Sequence, residues 1–281
     1  MCTSQSGCSK DYSLLTANTG IASPPTNPAL DGTGNTATVL TAGANGTIVR
    51  SVIIKATEPI TTGMVRLFIR NSTETVLYKE IPVQVTPVLT NTPTPAPVLP
   101  MYEITLNGDL KLESGHTLKV STQVANSFVV IAEGLDWAYP STLPDDCCNY
   151  KQTSAITGLG ILATANPNLD GSGTIVPIFT AAAGPASNGS HIKNITLKAL
   201  GSTSINGMIR LFISNDGGTT YKLMREIEVP QTTQSAYEPS WKQVVEMEYN
   251  VKAGIIIGAS TQNAEKFGVT VEAEEWSYPI S

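Results

Sequence analysis

Histidine is almost missing from this chain: His116 and His191 are the only two among 281 residues. They fall at non-equivalent places in a duplicated sequence. No Gly-x-Ser-x-Gly, His-Glu-x-x-His or phosphate-cradling glycine pattern accompanies them, so no nucleophile meets a base at a spacing that supports catalysis. Charge is scarce too. Asp, Glu, Lys and Arg make up 14% of the chain, against roughly 25% in ordinary soluble domains. Thr, Ser, Asn and Gly fill the polar positions instead, a balance suited to strands and turns. The net charge is -6 and no Lys/Arg cluster is interleaved with aromatics, which argues against a nucleic-acid partner. No run approaches the roughly 18 apolar residues of a membrane span, and the opening "MCTSQSGCSKDYSLL" has no apolar core behind its first charges. The expectation is a chain made in a cytoplasm, without a Sec signal and without a membrane partner.

Cysteine is sparse and poorly placed for metal. Cys2 and Cys8 lie in a polar N-terminal segment, and Cys147 and Cys148 are adjacent in "PDDCCNYK". A four-thiolate zinc site usually needs Cys-x-x-Cys knuckles, and neighbouring cysteines hold one ion poorly. Reduced, exposed thiols are expected, with a disulfide between the two segments only in an oxidising milieu. No metal, cofactor or catalytic residue is expected.

What the chain does have is itself, twice. At a separation of 139 residues, "STQVANSFVVIAEGLDWAYP" (121–140) overlies "STQNAEKFGVTVEAEEWSYP" (260–279), with ten of twenty positions identical. "GMVRLFI" (63–69) overlies "GMIRLFI" (207–213), and Lys79, Glu80 and Ile81 overlie Arg225, Glu226 and Ile227. The offset grows from 139 to 146 and returns, so insertions fall between shared segments. They are placed around "AGPASNGS" (183–190) and at "VTPVLTNTPTPAPVLP" (85–100), whose five prolines remove ladder donors and mark an extended excursion. The organisation read from this is an N-terminal arm (1–29), a first repeat (30–140), a connector (141–168) carrying Cys147 and Cys148, and a second repeat (169–281).

Within each repeat the apolar pattern has period two. Val52, Ile54 and Ala56 alternate with Ile53 and Lys55, as Ile195, Leu197 and Ala199 do with Thr196 and Lys198. Further strands are expected at 36–41, 63–70, 76–83, 101–106, 117–123 and 127–135, and again in the second copy, between turn-rich segments such as "SNDGGTT" (214–220). "SWKQVVEMEYN" (240–250) tempts a helix, but its counterpart, taken as "VLPMYEITLNG" (98–108), favours a strand; Trp241 then has no aromatic partner in the first copy. Seven or eight short strands in about 110 residues predict an all-β protein of two tandem antiparallel β-sandwiches, with jelly-roll and immunoglobulin-like orders both open. Trp137-x-Tyr139-Pro140 and Trp276-x-Tyr278-Pro279 close the copies, as aromatic plugs at the rim.

The sharpest functional question is Asp31 in "NPALDGTG" (27–34) and Asp170 in "NPNLDGSG" (166–173). Two lobes each offering an aspartate resemble aspartic proteases, where two close carboxylates share a proton. There, however, the hydroxyl residue directly follows the acid, and here Gly32 and Gly171 intervene. An Asx turn with glycine at positive φ accounts for the motif without chemistry. Calcium fails as well, since it takes about six to eight oxygens from several acids. Asp145 and Asp146, an acidic pair in the connector, are read as solvated. Arg66 and Arg210 are expected to pair with Glu80 and Glu226 across neighbouring strands rather than bind an anion.

The stretches "NPNLDGSGTIVPIFTAAAG", "GMIRLFI" and "STQNAEKFGVTVEAEEW" resemble a β-sandwich module of tailed-bacteriophage structural proteins, and the two-module form is similar to auxiliary (decoration) capsid proteins of crAss-like phages. The resemblance spans nearly all of both repeats. It implies a non-catalytic virion component on the capsid exterior, assembled in the bacterial host cytoplasm. Its implied partners are the major capsid protein, neighbouring virion proteins and head fibres. The alternative in the binding class is a head-fibre or tail adhesin for a host-surface glycan, which would need an exposed aromatic platform; Trp241 is its best candidate.

Overall fold

The structure, a computed structural model, describes residues 15–85, 102–137, 151–182 and 189–277. Every regular element among them is a β-strand. The first eight are β1 (Leu15–Ala22), β2 (Ala37–Thr41), β3 (Thr47–Ala56), β4 (Gly63–Arg70), β5 (Thr75–Val83), β6 (Glu103–Leu112), β7 (Thr117–Thr122) and β8 (Phe128–Trp137). The second eight are β9 (Lys151–Leu162), β10 (Val176–Thr180), β11 (Ser190–Ala199), β12 (Gly207–Ser214), β13 (Lys222–Val229), β14 (Lys242–Val251), β15 (Ile256–Thr261) and β16 (Phe267–Ser277).

Pairing within the first set is nested: β1 with β8, β2 with β7, β3 with β6 and β4 with β5, all antiparallel. The resulting sheets run β1-β8-β3-β6 and β2-β7-β4-β5. A long hairpin rolled up on itself gives this order, the jelly roll, which settles the choice left open with the immunoglobulin-like order. The second set repeats it as β9-β16-β11-β14 and β10-β15-β12-β13. Even the irregularities are duplicated: β3 shifts register between Val49 and Ser51, and β11 between Ile192 and Asn194.

Each core forms from the inward half of the period-two pattern. Ile54, Val130 and Ala132 of one sheet pack with Val65, Leu67 and Val120 of the other in the first sandwich. Ile195, Leu197 and Val271 meet Ile209, Leu211 and Ala259 in the second. Each such Val, Ile or Leu contributes roughly 1.5–3 kcal/mol by leaving water.

The sandwiches begin earlier than the sequence boundaries. The segment expected to be an arm supplies β1, an edge strand whose Ala22 and Ile21 oppose Val130 and Ile131. The expected connector supplies β9, paired along β16. Neither strand has a long apolar run; each is held by ladder bonds and by one face of small residues. Gly20 approaches the carbonyl of Val39 and Gly158 that of Ile178 so closely that a Cβ would clash. The alignment of "SWKQVVEMEYN" also needs correction. Ala199 donates to the carbonyl of Trp241 as Ala56 donates to that of Tyr102, so Tyr102 is the counterpart of Trp241 and the offset there is 139. The prolines of the intervening insertion obscured it. The insertion from residue 86 on, Cys2, Cys8, Cys147, Cys148, Asp145, Asp146, and the side chains of the Trp137 and Trp276 plugs lie outside the described residues.

Candidate functional site

In the first repeat the chain makes a short parallel bridge from Thr26 to Thr122 and must then reverse before β2. Asn27, buried, organises that reversal: its Nδ2 donates to the carbonyls of Thr33 (2.7 Å) and Asn35 (3.0 Å), and its Oδ1 accepts from the Ala29 N–H (3.0 Å). Asp31 Oδ1 accepts the Thr33 N–H (3.2 Å) and hydroxyl (2.6 Å), while Gly32 and Gly34 take φ of +77° and +75°. The second copy repeats all of it. Asn166 binds the carbonyls of Ser172 (2.9 Å) and Thr174 (3.0 Å), and Asp170 accepts from the Ser172 N–H (2.9 Å) and hydroxyl (2.6 Å).

Hydrogen bonding by the Thr33 hydroxyl holds the Asp31 carboxyl below its ordinary range, and the Ser172 hydroxyl does the same for Asp170. Two carboxyls sharing one proton need one pKa raised. Here both are lowered, each by its own turn. The aspartates bend the backbone. Asn27 and Asn166, which sequence reasoning passed over, are the organisers; their signal was their recurrence at the head of both stretches. Asn166→Ala removes the three hydrogen bonds by which a buried side chain holds the turn and is expected to cost about 1–3 kcal/mol, measured by urea unfolding.

Both Arg–Glu pairs form as expected across β4–β5 and β12–β13, at 3.1 Å for Arg66–Glu80 and 3.0 Å for Arg210–Glu226. Each arginine also donates to a turn carbonyl, Asn27 or Asn166. The environments differ sharply, however. The Glu80 side chain is 0% exposed and that of Glu226 is 41% exposed. The reason is that the second sandwich docks on Glu80. Its Oε2 receives Lys198 Nζ (3.0 Å), the Ser240 N–H (2.8 Å) and the Ser240 hydroxyl (3.0 Å), while Oε1 receives Gln234 Nε2 (2.8 Å) beside Arg66. Burial alone would raise the Glu80 pKa, but Lys198 and the Ser240 donors outweigh it and the carboxyl sits below its usual range.

Around this point the sandwiches share a continuous seam. Leu200 caps Leu30, Phe68 and Leu77. Leu159 of β9 is buried against the first core, and Lys242 lies over the Tyr78 ring at 4.9 Å. Lys111 pairs with Glu274, Thr157 donates its hydroxyl to the Lys111 carbonyl (2.7 Å), and Lys266 lies 3.8 Å from Asp31.

The other singled-out residues do not assemble into chemistry. His116 lines a cleft of about 690 Å³ between the sandwiches with Arg70, Glu113 and Thr157. Its nearest acid is Glu113 at 3.9 Å, and burial lowers its pKa. His191 instead sits beside Asn250 and Glu248 on the second sandwich. Trp241 is half-buried and packs edge-on against Phe267, as Tyr102 does against Phe128. It is a rim residue of the second core that also lines an open groove beside Glu226. Among the described residues no cluster of His, Cys, Asp or Glu has the makings of a metal site.

No family model and no curated protein matches the chain. Among solved structures, it is similar to the major capsid protein P2 of bacteriophage PM2 (10% identity, 93% of this chain and 98% of that one, TM-score 0.36). It is also similar to the STIV MCP (8%, 93% and 97%, 0.32). A third likeness is the CBM22-1–CBM22-2 tandem of Paenibacillus barcinonensis Xyn10C (12%, 94% and 94%, 0.26). With TM-scores this far below 0.5, none of them decides the fold or the function of this chain.

Proposed function

We propose that this chain is a structural component of a tailed-phage virion: an auxiliary (decoration) protein that binds the major capsid protein on the head exterior and performs no catalysis. The observation that supports this best is the seam. A buried, multiply bonded carboxylate and an apolar rim join two jelly rolls into one block, a device for fixing the spacing of two similar faces. Such a block engages two quasi-equivalent neighbours at once, and two weak contacts held at fixed spacing gain by avidity. The likeness of "NPNLDGSG", "GMIRLFI" and "STQNAEKFGV" to modules of phage structural proteins points the same way. Quantitative mass spectrometry of gradient-purified particles tests it. The chain is expected at a high, fixed ratio to the major capsid protein; its presence in lysates but not in particles would contradict the reading.

A further inference from the structure

The duplication allows each seam residue to be matched with its counterpart in the other repeat. Strand register fixes the matches. Arg66 opposes Glu80 as Arg210 opposes Glu226, so Glu80 corresponds to Glu226, Lys79 to Arg225 and Leu77 to Leu223. Lys55 opposes Glu103 as Lys198 opposes Lys242, so Lys55 corresponds to Lys198 and Glu103 to Lys242. Ile21 opposes Ile131 as Leu159 opposes Thr270, so Ile21 corresponds to Leu159.

The seam joins two unlike surfaces: the Leu30, Leu77 and Glu80 face of the first sandwich, and the outer side of the β9-β16-β11 sheet of the second. Each surface therefore has a twin that no described residue of the chain covers. On the second sandwich, Leu169 is 50% exposed where Leu30 is 9%, and Leu223 is 37% exposed where Leu77 is 1%. A groove of about 880 Å³ beside Glu226, lined by Arg225, Trp241 and Val244, lies open, whereas Gln234 and Ser240 occupy the place next to Glu80. On the first sandwich, Ile21 is 67% exposed where Leu159 is 8%. Ile21, Ile131 and Ile53 stand in one cross-strand row over β1, β8 and β3, on the face turned away from the core. Cross-strand partners share a face, so this is an apolar stripe on the outside of a sheet.

We propose that these twin surfaces bind each other between copies of this chain, the Leu169–Leu223–Glu226 face of one copy seating on the Ile21–Ile131–Ile53 face of the next. Charge matches as well. Lys55, which pairs with Glu103 on its own sheet, would reach Glu226 in the contact as Lys198 reaches Glu80 within the chain. Lys79 and Lys242 repel across the internal seam, lowering the Lys242 pKa after burial, whereas their counterparts Arg225 and Glu103 attract. The contact is heterologous, so association runs on to a closed ring or an open filament. This inference goes beyond the virion reading and does not depend on it.

The test uses two variants of the full chain, Ile21→Lys and Leu223→Glu, both at exposed positions outside the cores, followed by light scattering coupled to size exclusion across a dilution series. The wild type is expected to self-associate in a concentration-dependent way. Each variant alone should associate at least about tenfold more weakly, since a charge is placed at a desolvated contact. Each variant keeps one good face, so mixing the two should produce a one-to-one dimer and nothing longer. A wild type that stays monomeric at its solubility limit, variants that associate as the wild type does, or a mixture that yields no dimer would each overturn the proposal. So would a Leu223→Glu chain that self-associates normally but no longer binds capsids, since the face would then belong to the capsid. Absence of the chain from virions would sink the functional reading while leaving these outcomes untouched.

Discussion

Replacing Glu80 with alanine is expected to cost about 3–5 kcal/mol of stability, whereas the same change at Glu226 costs about 1 kcal/mol or less. The two residues have the same sequence context and the same arginine partner, so local propensity does not separate them. Burial does. Removing Glu80 strands Arg66 and Lys198, 1% and 2% exposed in their side chains, without their shared anion. Removing Glu226 frees a half-solvated pair that water can serve. Chemical denaturation of both variants, with Glu80→Gln as the isosteric control, measures the difference. The pH dependence has a definite sign. The folded-state pKa of Glu80 lies below its unfolded value, so its contribution is complete above the unfolded value, about 4.3, and is lost as pH falls through the folded one. Wild type and Glu80→Gln should converge in stability toward strong acid and diverge near neutrality.

The second large effect is at Gly171. A methyl group there would lie 2.0 Å from the Tyr221 carbonyl oxygen, at a φ of +89°. The left-handed conformation alone costs a side chain about 1–2 kcal/mol, and forcing a backbone carbonyl aside adds about 1–3 kcal/mol. Gly171→Ala is therefore expected to cost about 2–5 kcal/mol in all. Gly217, at a φ of +73° with nothing within 4 Å of its added methyl, is the control, and Gly217→Ala should show only the conformational part. Thermal unfolding of the two variants separates strain from collision. If both cost the same, the close approach of the turn to β13's preceding residue does not contribute.

How much of this could be read from residues depended on range. The period-two runs around Val52 and Ile195 revealed inward faces, and the recurrence of "GMVRLFI" as "GMIRLFI" revealed the duplication, because both signals are local or identical. The Asx turns at Asp31 and Asp170 were legible for the same reason: a hydroxyl two residues on and a flanking glycine specify them. β1 and β9 escaped because "LTANTGIA" and "KQTSAITGLGIL" are edge strands whose place is set by ladders to β8 and β16, more than one hundred residues away in sequence. Sequence offers no local mark for that. The seam escaped for a deeper reason. Glu80 and Glu226 are the same letter in the same setting, and only the docking of residues 198, 234 and 240 makes one of them a buried hub. Trp241 shows the opposite error, where a three-residue slip across a proline-rich insertion made a core-rim aromatic look unmatched.

The most direct measurement is a cryo-EM map of the phage particle proposed to carry this chain. The account predicts density on the outside of the head for two jelly rolls at fixed occupancy, with Glu80 enclosed between Lys198 and Ser240. Particles that lack this density, or in which the two sandwiches are swivelled apart with Glu80 facing solvent, would contradict it.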